Sequence, residues 1–323
     1  MRSLSCRPRS ELAVATGPRP APVFWLLVAA SALLPLGLLA AGLIQRPALA
    51  GGFLLLLLFY DSAHGCITFA VACWSLRHRK LAVLPAARPT ITVIIPAWNE
   101  SAALQDSLRS LLEQSDQPEA IIVADDGSDD DSITRLRHGF ALAPSPPPHH
   151  RATPRLLRSR SHPHLSLLLK PHTGKADTLN QAIGRSGSDV VIILDADSRM
   201  LQGSIAAVRL AFQRHPQLTA VGGVLIPTCA PTPMGRILAF FQRVEYLDTH
   251  VVRLCWSAMD ATLMMSGACG AFRRQRLVEI GGFDTASWTE DYDLMYRLHR
   301  SLRQQGKACQ VLIHPRFLAT TDA

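Results

Sequence analysis

Two carboxylates one residue apart follow an apolar run in the sequence DVVIILDAD, at residues 189–197. Such a run is typical of a parallel strand that is covered on both faces. Ligands of open α/β sheets bind outside the carboxyl ends of their strands, so Asp195 and Asp197 are expected to face a ligand crevice. Carboxylates at this spacing can share a hard divalent cation, Mg²⁺ or Mn²⁺, which can hold a nucleotide diphosphate. The alternative is an Asp-rich turn whose side chains bond their own backbone.

Two further acidic sequences lie at the ends of predicted elements, one directly after a strand and one at the start of a helix. The apolar segment 120–124 runs into the DDGS sequence that contains Asp126, and a TED sequence places Glu290 and Asp291 in the first turn of a predicted helix. Acids in a first turn also favour simple helix capping, with Thr289 as the cap. Acidic sequences at the ends of three separate elements would come together only around a shared ligand, so together they predict one site.

The elements that must position these acids begin near residue 89, where strand and helix signals alternate as in a doubly wound parallel sheet. Residues 143–163, rich in Pro, Ser, His and Arg without apolar periodicity, are predicted to be a flexible insertion. A long amphipathic helix is predicted over residues 234–259. We expect it to pack against the sheet, and contact with a membrane surface is the alternative.

Two apolar segments precede the sheet. Residues 23–44 carry no charge, and the run exceeds the roughly 7 to 15 residues of a signal-peptide core. A second segment, 48–74, ends at the basic residues 77–80. Together with the basic arm at residues 1–22, these flanks predict two transmembrane helices within residues 23–76. We therefore expect a multi-pass protein of the inner (plasma) membrane with a cytoplasmic domain at residues 89–323.

Asp61 and His64 interrupt the second apolar segment. An ionisable pair within a membrane is a functional hypothesis, and a place at a helix interface or near the membrane surface is the alternative. The chain is 48% hydrophobic and 18% charged, with a formal net charge of +8. No zinc-finger, basic-zipper or RNA-binding aromatic signature accompanies the basic charge, so no nucleic-acid partner is expected. The seven scattered cysteines, which form no CxxC pair, are expected to be reduced.

The ordered sequences IIPAWNE, DDGS, GKADTLN, DAD, SGACGAFRR, GGFD and TED resemble the membrane-embedded, processive inverting glycosyltransferases of family 2. That group contains the cellulose, chitin, hyaluronan and poly-N-acetylglucosamine synthases. The resemblance covers about residues 90–323 and implies an α/β GT-A fold, a UDP-sugar donor and one Mg²⁺ or Mn²⁺ ion. The implied acceptor is a growing polysaccharide. Transfer to a lipid phosphate and a non-catalytic nucleotide sensor are the alternatives.

The resemblance also implies roles for individual residues. Asp291 corresponds to the general base that deprotonates the acceptor hydroxyl, and Asp197 to the metal ligand that clamps the diphosphate. A single in-line displacement needs only such a base and an electrophilic clamp on the leaving group. The residues implied to bind the nucleotide sugar are Pro96, Ala97, Asn99, Glu100, Asp126, Lys175, Asp177, Asp195 and Glu290.

One feature of the family is not found in these 323 residues. The related synthases carry a QxxRW sequence after TED, followed by further membrane spans. Because that sequence supplies contacts to the diphosphate and the acceptor, we expect this chain alone to be weakly active or inactive. The sugar is not fixed by the sequence, but the order of the motifs favours UDP-N-acetylglucosamine.

Overall fold

The structure is a computed structural model that describes residues 47–78, 87–101, 103–144, 155–229 and 232–322. The chain divides into two compact units, Met1–Val71 and Ala72–Ala323. The predicted basic arm and the first predicted transmembrane segment lie outside the described residues.

A helix of 32 residues, α1 (Pro47–His78), contains the second predicted apolar segment. Its portion Leu55–Trp74 is long and apolar enough to cross a membrane, and it is the one such helix in the described part of the chain. Asp61 and His64 are both exposed on its surface, and the His64 ring lies 6.3 Å from the ring of Tyr60. The two-helix, multi-pass topology therefore stays a prediction.

The second unit is built on one mixed sheet. Its strands, as far as the chain is described, are β1 (Ile91–Ala97), β2 (Ala120–Asp125), β3 (Leu142–Pro144), β4 (Arg155–Ser159), β5 (Leu165–Leu169), β6 (Val190–Leu194), β7 (Ser198–Met200), β8 (Ala220–Thr228), β9 (Cys269–Arg273) and β10 (Val311–Asp322). Their order across the sheet is β3-β4-β5-β2-β1-β6-β9-β8-β10-β7.

The centre of the sheet, β5-β2-β1-β6, is parallel, as the continuous apolar runs predict. Successive residues of β6 point to opposite faces: Ile192 joins the core cluster on one side and Ile193 the cluster on the other. The register pairs Ala97 at the end of β1 with Asp125 at the end of β2. The carboxyl ends of β1, β2 and β6 therefore lie at one edge of the sheet.

The prediction of a doubly wound parallel sheet holds only in part, because β3, β4 and β7 pair antiparallel with their neighbours, and so does β9, which lies between β6 and β8. This direction has a consequence for the site, because Leu194 at the end of β6 pairs with Cys269 at the start of β9. The small-residue segment before β9 is thereby carried to the acidic edge, where the backbone N–H of Asp195 donates to the carbonyl of Ala268 at 3.1 Å.

The predicted flexible insertion is partly ordered. Residues at both of its ends form the edge strands β3 and β4, which pair antiparallel with each other, and β4 pairs with β5. The loop prediction is wrong there because Leu157 packs into the core while Arg155 and Arg158 are exposed, a pattern too short to show periodicity. Residues 145–154 of this segment lie outside the described residues.

The helices of the second unit pack through leucines at helical spacing. In the helix after β1, Leu104, Leu108 and Leu111 are buried, and in the last helix Leu294, Leu298 and Leu302 are buried. The helices are α2 (Ala103–Leu112), α3 (Ser132–Gly139), α4 (Lys175–Arg185), α5 (Ser204–Arg214), α6 (Pro233–Ala258), α7 (Arg274–Glu279) and α8 (Glu290–Gln304).

Candidate active site

A cleft of ≈ 320 Å³ opens where β1, β2 and β6 end. This is the edge at which the acids after β2 and β6 were expected to face a ligand, whereas the TED sequence lies in an adjoining crevice. Seven of the residues that the sequence assigned to the donor or the metal line it: Pro96, Ala97, Glu100, Asp126, Lys175, Asp195 and Asp197.

Lys175, at the start of α4, links the acids of the cleft. Its Nζ lies 2.8 Å from Oδ1 of Asp195 and 3.8 Å from Oε1 of Glu290. Burial would lower the pKa of Lys175, but Asp195, Glu290 and Asp291 outweigh it, and the pKa is raised. The lysine is therefore held cationic between Asp195 and Glu290.

The floor of the cleft carries more negative than positive charge. Burial raises the pKa of Glu100, and Asp197, Asp130 and Asp195 raise it further. The pKa of Asp195 is also raised, first by burial and then by Asp197 and Glu290, although Lys175 opposes both effects. Three clustered carboxylates with one nearby lysine leave an excess charge that a cation would neutralise.

The carboxylates of the cleft suit a divalent cation. Asp195 and Asp197 offer the hard oxygen ligands that Mg²⁺ and Mn²⁺ prefer. No group of three metal-ligating side chains occurs among the described residues, so the protein supplies an incomplete shell. Mg²⁺ is often held by one or two carboxylates together with substrate phosphates, and the site fits that arrangement.

Asp126 lies at the cleft but its carboxylate is already engaged. It accepts hydrogen bonds from the backbone N–H groups of Thr173 at 2.9 Å and Gly174 at 2.8 Å, and it pairs with Nζ of Lys170. The side chains of Lys170 and Asp126 are only 1% and 6% exposed. In this structure Asp126 fixes the loop that precedes α4, rather than presenting a free carboxylate to a base or ribose.

Two other residues assigned to the nucleotide pocket do not line the cleft. Asn99 donates its side-chain amide to Asp129 at 2.8 Å and accepts from the Asp129 backbone N–H at 3.1 Å, so it joins the loops after β1 and β2. Asp177 accepts hydrogen bonds from Thr173 and Gln181 and lies 3.5 Å from Nζ of Lys170. Both residues support the walls of the pocket.

The sequence interpretation missed an aromatic pair at the cleft. The rings of Trp98 and His172 stack with centroids 4.7 Å apart, and both residues line the cavity. Trp98 is 54% exposed, so one ring is available to a flat ligand. The sequence IIPAWNE does indicate Trp98, because it places an aromatic residue directly after the end of a predicted strand.

Glu290 and Asp291 line a narrow crevice that adjoins the cleft through their common wall, Lys175. Gly267, from the segment before β9, lies on the other side of the crevice. A Cβ at Gly267 would stand 3.2 Å from Oδ2 of Asp291, tighter than an ordinary contact. Glycine therefore allows the backbone to approach the carboxylate, as the small-residue sequence indicates.

The position of α8 is set by a contact between two of the motifs. The Asn180 side chain accepts from the backbone N–H of Phe283 at 2.7 Å and donates to its carbonyl at 2.8 Å. Gly282 (φ +77°) passes so close that a Cβ would meet Oδ1 of Asn180 at 2.2 Å. Thr289 occupies the N-cap position of α8, but its side chain makes no capping hydrogen bond, so the predicted role of its hydroxyl is wrong.

Arg253 of α6 is a second residue that the sequence interpretation missed. Burial lowers its pKa, while Asp291 and Tyr246 act in the opposite direction, so the guanidinium lies within electrostatic range of Asp291. Its Nε is buried without a hydrogen-bond partner in the described part of the chain. Helical periodicity alone does not indicate that this particular arginine, in a long helix, is turned inward.

The strand order and the acidic cleft define a mixed α/β domain of the GT-A type, and the comparisons with known proteins agree. The sequence model of glycosyltransferase-like family 2 matches residues 88–317, and the chain belongs to this family. The mannosyltransferase PcManGT from Pyrobaculum calidifontis, in complex with GDP-Man and Mn²⁺, has the same fold. The match has a TM-score of 0.57 and 23% identity, covering 82% of this chain and 66% of that one.

Two relatives by sequence are named poly-β-1,6-N-acetyl-D-glucosamine synthase. The proteins from Staphylococcus aureus (strain COL) and Staphylococcus epidermidis (strain ATCC 35984) are each 26% identical to this chain over 210 residues. The aligned region is 65% of this chain and 45% of each synthase, so the chain spans about half of the length of these relatives.

Proposed function

We propose that this domain transfers a sugar, with inversion, from a UDP-sugar to a growing polysaccharide at the cytoplasmic face of the inner membrane. The observation that carries the proposal is the junction at Lys175, which lines both the donor cleft and the crevice of Asp291. This arrangement supports a donor on one side of the lysine and an acceptor on the other. The synthase names of the two relatives support N-acetylglucosamine as the sugar.

On the donor side, the exposed ring of Trp98 offers a stacking surface for the base. Asp197, with Asp195 beside it, would hold Mg²⁺ or Mn²⁺ against the diphosphate. When bound, the cation neutralises charge on the leaving diphosphate. Asp126 and Asp177 act indirectly, by holding the loop that carries His172 and Lys175.

On the acceptor side, Asp291 accepts the proton of the attacking hydroxyl. The acceptor oxygen forms a bond to the anomeric carbon, and the bond from that carbon to the phosphate oxygen breaks. UDP leaves with the electron pair, so no covalent enzyme intermediate is needed. A side chain at position 267 would crowd Oδ2 of Asp291, so glycine there leaves room for that carboxylate in the crevice.

The proposal is tested by measuring UDP release from the purified full chain in lipid nanodiscs with UDP-N-acetylglucosamine, UDP-glucose and GDP-mannose. We expect release only with Mg²⁺ or Mn²⁺, and most from UDP-N-acetylglucosamine. Protection of the fold by each donor is measured in parallel by thermal melting. Release that does not depend on the sugar, or neither release nor protection with any donor, would count against an enzyme.

A lipid phosphate is a second candidate acceptor, and Arg253 is the observation that favours it. An arginine with a buried, unpartnered Nε within electrostatic range of Asp291 suits an anionic acceptor. If this alternative holds, adding a polyprenyl phosphate raises UDP release, and Arg253→Gln suppresses that rise. A polysaccharide acceptor predicts no such stimulation.

Replacing Asp197 with alanine is expected to remove the part of UDP affinity that depends on Mn²⁺, because the cation loses its protein ligand. The measurement is calorimetric titration of UDP with and without Mn²⁺. Asp106→Ala on α2 is the matched control, since Asp106 does not line the cleft, is 46% exposed, and pairs with Arg109 at 3.5 Å and with Arg199 at 3.3 Å. Mn²⁺-dependent UDP binding that survives in Asp197→Ala would refute the metal assignment.

A further inference from the structure

Helices α4 and α8 carry two charged side chains that meet between the cleft and the crevice. Lys175 begins α4 and Glu290 begins α8, and Nζ of the lysine lies 3.8 Å from Oε1 of the glutamate. A long ion pair between partly exposed groups contributes little to holding two helices in register. A second connection between α4 and α8 runs through the turn at residues 280–283.

The turn contains two successive glycines in the left-handed region, Gly281 with φ +81° and Gly282 with φ +77°. Glycine adopts this conformation at no steric cost, but it also loses the most conformational freedom on folding. The turn therefore needs hydrogen bonds from outside to hold one conformation. Arg297 of α8 supplies two of them, because Nη1 donates to the carbonyl of Ile280 at 3.1 Å and Nη2 to that of Gly282 at 2.7 Å.

Asn180 holds the same turn from the middle of α4. Its side-chain amide accepts from the backbone N–H of Phe283 and donates to the carbonyl of the same residue, while Gly282 lies against its Oδ1. Both ends of one amide are used on one residue, so the turn cannot slide along α4 without breaking both hydrogen bonds. Asn180 and Arg297 thus fix the turn to α4 and to α8.

Phe283 is itself a wall of the crevice that contains Asp291. It is only 5% exposed and lines the crevice together with Leu179 of α4. The loop between Phe283 and α8 is held in part by its own bonds, since the backbone N–H of Ala286 donates to Oδ1 of Asp284 at 2.9 Å. The position of Phe283 therefore bears directly on where α8 begins.

We infer that Asn180 is a positioning residue for Asp291, which fixes the first turn of α8 in register with α4. The inference rests on the proposed roles of Lys175 at the donor and Asp291 as the base. Asn180 lines neither the cleft nor the crevice, so it acts through the turn and not by contact with a substrate. A nucleotide diphosphate bound at the Lys175 end of α4 then stabilises the start of α8 through Phe283, since hydrogen-bonded and packed groups carry such coupling.

The test measures hydrogen exchange in residues 281–292 of the purified full chain in nanodiscs, with and without UDP and Mn²⁺. In wild type, the nucleotide is expected to slow exchange there by about fivefold or more, the lower end of usual couplings between two sites. Asn180→Ala should lose this slowing, while the calorimetric affinity for UDP stays close to that of wild type. Sugar transfer by this variant should fall in kcat, with the KM for the donor little changed.

Gln114→Ala is the matched control. Gln114 is buried and also fixes a loop with both ends of its amide, because it donates to the carbonyl of Leu201 at 3.0 Å and accepts from the N–H of Gly203 at 3.1 Å. It lines neither the cleft nor the crevice. Its loss should lower stability to urea about as much as Asn180→Ala does, and it should leave the slowing by UDP intact.

Asn180→Asp separates the two hydrogen bonds from the general stability of the domain. A protonated carboxyl offers one donor and one acceptor, as the amide does in this contact, whereas the ionised form only accepts. The slowing by UDP should therefore be absent at neutral pH. It should return, relative to wild type at the same pH, as the pH falls and the carboxyl takes up its proton.

Three results would overturn the inference: slowing that survives in Asn180→Ala, slowing that is lost equally in Gln114→Ala, and slowing that does not return at acid pH in Asn180→Asp. Wild type that binds UDP without slower exchange at residues 281–292 would also overturn it, and would leave the proposed function standing. Wild type that binds no UDP with Mn²⁺ would count against the proposed function, and the inference would fall with it.

Discussion

Replacing Asp291 with asparagine is expected to lower sugar transfer by about 10²–10⁴-fold, the usual contribution of a general base. Asparagine keeps the shape of the side chain but cannot take the proton of the acceptor hydroxyl. The donor cleft does not contain Asp291, so nucleotide affinity should stay within about twofold, since only the charge near Lys175 changes. The measurements are UDP release and calorimetric binding of UDP with Mn²⁺.

Asp293→Asn provides the matched control for this variant. Asp293 lies two residues further along the same first turn of α8, and its Oδ2 accepts from Nε of Arg297 at 2.6 Å. It lines neither the cleft nor the crevice, so its loss should leave transfer within about twofold of wild type, as expected for a partly exposed ion pair. Equal losses in both variants would show that Asp291 acts only through the stability of α8.

The edge of the sheet was predictable because strand tips are encoded locally. Continuous apolar runs ending in acids placed Asp126, Asp195 and Asp197 at one edge, and the register of β1 with β2 and β6 confirms this convergence. The direction of β9 was not predictable in the same way. Its residues read as a buried strand in either orientation, and only the pairing of Leu194 with Cys269 fixes the direction.

Individual side-chain partners were harder to predict than the site itself. Lys170 is 44 residues from Asp126 in the sequence, and nothing in the local pattern shows that these two charges are paired and buried. The two faces of α6 present the same difficulty. Periodicity identified an amphipathic helix, but it could not show that Arg253 turns inward while Phe241 turns outward.

Replacing Lys170 with methionine is expected to destabilise the domain by about 3–5 kcal/mol, because it leaves the buried Asp126 carboxylate without its cation. Lys170 also donates to Thr178 at 3.0 Å, so the loop before α4 loses a second anchor. The measurement is urea unfolding followed by tryptophan fluorescence. Lys307→Met is the matched control, since Lys307 is exposed and its replacement should change stability by less than about 0.5 kcal/mol.

The pH dependence provides the sharper form of this prediction. Burial alone would raise the pKa of Asp126, but Lys170 and the N–H group of Thr173 outweigh it, so the pKa of Asp126 in the folded domain lies below its usual range. A depressed carboxyl pKa contributes stability that is present above the unfolded value and lost as pH falls through the folded value. Without Lys170 the Asp126 carboxyl takes up its proton at a higher pH. Once the carboxyl is neutral, its burial costs less folding free energy. The stability difference between wild type and Lys170→Met should therefore narrow towards acid pH, and a constant difference would show that the ion pair is not its cause.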